Sequence, residues 1–102
     1  AIRRGRFKSA TDKNGANGIL VTVKDLRVVY TKASHDGDVH VAVNDGKEYM
    51  ICEITPQHKL QVPTVGSTVT LTGFAFCDKA HAKAAWHYRS CWEIHPITKI
   101  QK

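Results

Sequence analysis

Past the first fifteen residues, apolar side chains recur at nearly every second position. Ile19, Val21 and Val23 alternate with polar or variable neighbours, and the phase then slips across Lys24-Asp25 to Leu26, Val28 and Tyr30. A one-residue slip is what a bulge does to a strand, so the pattern predicts one long bent strand from Ile19 to Tyr30. Val39, Val41 and Val43 alternate with His40, Ala42 and Asn44, and Asp45-Gly46 separates them from the run Glu48 to Ile54. A D-G dipeptide between two alternating runs predicts a hairpin. Pro56 and Pro63 bracket QHKLQV, which has room for one turn or a connector, and Gly66 releases a fourth strand, Ser67 to Cys77. Residues 78 to 90 lose the alternation and are rich in alanine, predicting a long loop with at most a helical turn. The fifth strand is Cys91 to Ile100, in which Pro96 requires a sheet edge or a bulge because it cannot donate to a ladder.

A long bent first strand, a tight hairpin, a connector and two strands around a long loop follow the order of the OB fold. The fold class is therefore all-β, a five-stranded OB-like closed or partly open barrel with a long strand 4 to strand 5 loop. Closure also removes the unpaired edges that short strands otherwise expose. An immunoglobulin-like sandwich wants about seven strands, and this chain supplies five. With strand order 1-2-3-5-4, the barrel occupies residues 16–102 and is preceded by a basic arm, residues 1–15.

At 102 residues, with 42% hydrophobic and 24% charged positions, the chain has room for one small core. No stretch approaches the ~18 apolar residues of a membrane span, which predicts no membrane insertion, and no apolar run follows the N-terminal bases as in a retained signal peptide. The formal charge is +6. Arg3, Arg4, Arg6 and Lys8 supply four of the bases within the first eight residues, which hold no acid, so residues 9–102 carry only +2. An anionic partner is thus expected at the arm rather than over the whole surface. Cys52, Cys77 and Cys91 lack C-x-x-C spacing, which removes structural zinc and thioredoxin-like readings. Cys77 and Cys91, at matching ends of two paired strands, are expected to form a disulfide with Cys52 reduced in the core, and such a bridge favours a secreted or periplasmic protein.

The segments HDGDVHVAVNDGKEYMICEITP, VTLTGFAFCDKAH and WEIHPITKI resemble a group of small uncharacterised bacterial OB-like proteins with the pattern GD-x-H, EIP, TG-x-x-F-x-D-x-x-H and ELHPV. The likeness spans roughly residues 19–100. It departs in EITP for EIP and in a shorter connector. The resemblance implies the fold and the polar positions and supplies no reaction.

A two-residue turn at Asp45-Gly46 sets Val41 opposite Met50 and Val39 opposite Cys52 on the core face. The outer face then holds Asp38 opposite Glu53, His40 opposite Ile51 and Ala42 opposite Tyr49, with Glu93 and His95 joining from strand five. Like charges directly opposite are destabilising, so Asp38 facing Glu53 calls for a cation, a shared proton or a base. Carboxylate oxygens with imidazole nitrogens suit divalent ions, which makes Asp38, His40, Glu53, Glu93 and His95 the candidate metal ligands. Ordinary alternatives exist for each: Asp36 and Asp38 in HDGD as turn formers, Glu53 paired with a base, His95 on a backbone carbonyl.

The segment DKAHAKAAWHYRS interleaves Lys83 and Arg89 with Trp86 and Tyr88. Rings that stack on bases and cations that follow phosphates suit single-stranded nucleic acid, with Arg3 and Arg4 of the arm as further contacts. The first functional expectation is a binding module for an anionic ligand, single-stranded nucleic acid foremost. Its alternatives are a metal-dependent hydrolase acting on a phosphodiester and a secreted protein-protein interaction module. No G-x-S-x-G, P-loop, G-x-G-x-x-G or H-E-x-x-H occurs.

Overall fold

A computed structural model describes residues 19–77 and 92–102. Its strands are β1 (Ile19–Ala33), β2 (Val39–Asn44), β3 (Tyr49–Ile54), β4 (Thr68–Cys77) and β5 (Trp92–Gln101). They close a barrel in the order β1-β2-β3-β5-β4, antiparallel except for β3 against β5. This is the expected OB-like arrangement. Among the described residues, no helix is long and apolar enough to cross a membrane.

The phase slip in β1 is a bulge. Val23 pairs with Leu71 and Leu26 with Val69, so β1 holds one more residue than β4 over this stretch, and Asp25 takes φ 59°. Aspartate tolerates that left-handed conformation better than most residues, and the slip keeps both Val23 and Leu26 buried. A second bulge at Val29, not visible in the run VVY, extends β1 to Ala33 and corrects the phase of Tyr30: it pairs with Ala42 on the outer face instead of following Val28 inward.

The β2–β3 turn is four residues long, not two. Asn44 pairs with Tyr49, and the Asp45 side chain accepts hydrogen bonds from the amides of Lys47 and Glu48, both 2.9 Å, which holds two extra residues in the turn. The register therefore moves by two relative to expectation. Val41 faces Cys52, Val39 faces Ile54, Ala42 faces Ile51 and His40 faces Glu53. An even shift leaves every side chain on its expected face, so the inward positions Val41, Val43, Met50 and Cys52 are all buried in the core.

Pro96 sits at the predicted irregularity. Ala75 pairs with Ile94 but Gly73 with Ile97, leaving an extra residue in β5. Gly73 allows this close approach, since a Cβ there would meet the Ile94 side chain and lie 2.5 Å from the Pro96 carbonyl oxygen. The connector is tied back by Gly66 N–H donating to Val28 O (2.8 Å) and Val28 N–H to Ser67 O (2.9 Å).

Cys52 is a free, buried thiol, as expected. In the β4–β5 ladder Cys77 stands opposite Trp92, while Cys91 lies outside the described residues, and the expected bridge with it.

Candidate metal centre

The β1–β2 turn delivers Asp38 to the start of β2. Ser34 Oγ–H donates to Asp36 Oδ1 and lies 3.0 Å from Asp38 O, Asp38 N–H donates to Asp36 Oδ1 (3.1 Å), and Ser34 N–H donates to Asp38 O (2.9 Å). These bonds, the Ser34 hydroxyl foremost and the Asp38 amide next, hold the Asp36 carboxyl below its ordinary range. Asp36 is thus the turn former of HDGD. Gly37 completes the turn at φ 93°, and a Cβ there would come 2.9 Å from the Pro56 ring.

The revised register puts an imidazole, not a second carboxylate, directly opposite Glu53. His40 Nε2 lies 2.8 Å from Glu53 Oε1. One step along the parallel β3–β5 pair, His95 Nε2 lies 3.1 Å from Glu53 Oε2 and 4.0 Å from Asp38 Oδ2. Each Glu53 oxygen therefore faces a different ring, and Asp38 reaches the group diagonally. Asp38, Glu53 and His95 each offer a ligand atom, all within 4.8 Å of one another. Atoms bound at ~2.1 Å to one ion lie about 3.4 Å apart at a tetrahedral angle, so a pair at the upper limit closes by about 1.4 Å on binding. All three side chains are partly sheltered, the Glu53 side chain at 15% exposure and the His95 side chain at 36%.

Of the five expected ligands, these three converge. His40 touches the group through Glu53. Glu93 stands apart: it pairs with Ile51, one row away, and is buried at 3% exposure. Trp86, Tyr88, Lys83, Arg89, Arg3 and Arg4 lie outside the described residues.

The ladder partners also form a transverse row that was not anticipated. Lys32 pairs with His40 and His40 with Glu53, with His95 next. The adjoining row runs Tyr30, Ala42, Ile51 and Glu93. Beside the first row an open groove of about 410 Å³ is lined by Tyr30, Lys32, Ala33, Ser34, His35 and His40. The hidden bulge at Val29 is why Tyr30 and Lys32 were missed. Counting backward from HDGD across a short turn would have set Lys32 beside His40.

No protein-family model matches the chain, and no curated protein or solved structure matches it either. The reading of this site rests on its own geometry.

Proposed function

We propose that this OB-like barrel binds a divalent cation on the outer face of β2, β3 and β5, and through it an anionic ligand bearing phosphate oxygens. The observation that carries the reading is the convergence of Asp38, Glu53 and His95 within 4.8 Å from three separate segments of the chain. Two carboxylates and one imidazole suit a borderline ion such as Mn²⁺ or Zn²⁺, and three protein ligands leave positions open for a ligand's oxygens. A bound cation also inverts the sign of a carboxylate patch that otherwise repels phosphate. His40 is a positioning residue, because its contact with Oε1 orients the Glu53 carboxylate.

The anionic ligand we favour is single-stranded nucleic acid, supported by the basic arm and by the interleaved bases and rings of residues 78–90. The phosphodiester hydrolase shares the same site. His40, lying on both Glu53 and the groove, is the observation in its favour, as a base within reach of a bound ligand.

Titration calorimetry with Mn²⁺, Zn²⁺, Mg²⁺ and Ca²⁺ tests the reading. One equivalent should bind the parent protein, Glu53→Gln should abolish binding, and His40→Gln should weaken it about 10- to 100-fold. Absence of binding by every ion overturns it. Fluorescence anisotropy with labelled single strands at two salt concentrations, and release of nitrophenol from a nitrophenyl phosphodiester, then separate binding module from hydrolase.

A further inference from the structure

The groove beside the metal centre is lined by a chemically selective set. Tyr30 offers a half-buried ring from β1, and Lys32, two residues on and therefore on the same outer face, offers an ammonium. His35 adds an imidazole from the turn and His40 another from β2, and among the described residues the lining includes no carboxylate. Ser34 has its hydroxyl turned to Asp36 and the Asp38 carbonyl, which makes that wall a fixed part of the turn. The groove is thus an aromatic surface edged by one ammonium and two imidazoles, next to a patch that is itself acidic.

Its position relative to the centre is set by the ladder. Lys32, His40 and Glu53 occupy adjacent strands, and strands are ~4.8 Å apart, so Lys32 stands roughly 10 Å from Glu53 along the row. A volume of about 410 Å³ falls at the small end of ligand pockets. That space suits one planar ring with its sugar and phosphate, and it is short for a long chain.

We propose that this groove is the binding site for a single nucleotide unit, with its base stacked on Tyr30 and its phosphate held between Lys32 and the imidazoles of His35 and His40. The inference deepens the reading of the metal centre and rests on it for one point, that a second phosphate of a longer ligand continues toward Asp38, Glu53 and His95. A free mononucleotide and the end of a single strand carry the same chemistry.

The test uses the full chain, with adenosine monophosphate, inorganic phosphate and a 5′-phosphorylated tetranucleotide as probes, followed by amide chemical shifts without metal and then with Mn²⁺ replaced by diamagnetic Zn²⁺. Adenosine monophosphate should shift the amides of residues 30–35 and 40 without metal. Tyr30→Leu should weaken it about fivefold or more while leaving inorganic phosphate unchanged. Lys32→Ala, at an exposed position that leaves the fold intact, should weaken both probes. A tetranucleotide no tighter than the mononucleotide assigns the groove to a free nucleotide or strand end; one that gains at least tenfold on adding Zn²⁺, with the gain lost in Glu53→Gln, assigns it to a strand running to the centre. Either supports the proposal. No shift at residues 30–35 at millimolar adenosine monophosphate, or shifts indifferent to both substitutions, overturns it even if metal binds. Shifts in the groove of a protein that binds no metal overturn the metal reading alone.

Discussion

Glu53 and Asp36 are two exposed-face carboxylates with opposite duties. Glu53 spreads its oxygens between two rings, while Asp36 turns inward on its own loop and accepts from the Ser34 hydroxyl and the Asp38 amide. Those bonds stabilise the ionised form, which is why the Asp36 carboxyl titrates below its ordinary 3.8. Because the folded value is the lower one, the turn's contribution is fully present above about pH 4 and is lost as pH falls through the depressed folded value. Thermal melts of the parent and Asp36→Asn from pH 7 down to pH 2 should show a gap at neutral pH that closes in acid. A gap of constant size across that range would contradict this account. The same turn carries Asp38, so Asp36→Asn should also weaken metal binding at pH 7. Cys52 illustrates the opposite effect: burial pushes its thiol up, well above the ordinary range, and leaves it inert toward alkylation in the folded protein.

At the level of strands, the glycines separate two kinds of constraint. Gly46 has φ 101° with open space around its Cβ position, so Gly46→Ala should cost only the left-handed backbone penalty, about 1 kcal/mol. Gly73 is hemmed in by backbone: a Cβ would lie 2.5 Å from the Pro96 carbonyl oxygen and 3.1 Å from Ile97 Cα, and neither can rotate away. Gly73→Ala should cost more, about 1–3 kcal/mol, because β5 has to move off β4. Denaturant unfolding of both variants checks the order, and equal midpoints would show that the β4–β5 approach is softer than it looks. Period-two patterning made the strands and the bulge at Asp25 legible, since each leaves a mark in which residues are apolar, and Pro96 marked its own irregularity by lacking a backbone donor. The β2–β3 register was not, because Asp45 lengthens the turn through side-chain hydrogen bonds that hydrophobic pattern does not encode. Faces survived that error because the shift was even. Asp38, Glu53 and His95 were therefore read on the correct surface, while the reason offered for them, two carboxylates face to face, gave way to a carboxylate between two rings.

For the molecule as a whole, the candidate ligands join parts of the barrel that are far apart in sequence. Asp38 stands at the end of the β1–β2 turn, Glu53 in β3 and His95 in β5, beside the bulge at Pro96, with β3 and β5 forming the parallel contact of the closed sheet. A cation held by all three binds only when that contact is made, so it acts as a folding ligand and not as a local ornament of one hairpin. An ion that binds the folded chain alone stabilises it by about 2.7 kcal/mol at one hundred times its dissociation constant. For a domain near 100 residues each kcal/mol moves the midpoint by roughly 4–8 °C, so saturating Mn²⁺ or Zn²⁺ should raise it by ~10–20 °C. Differential scanning calorimetry over a metal series gives the measurement. Asp38→Asn and His95→Gln should each remove most of the rise. Lys32→Ala, at the far end of the row, should leave it intact. A rise that survives loss of all three ligands would place the ion elsewhere, and no rise in the parent protein would leave the outer face as an ordinary pair of histidine–carboxylate contacts.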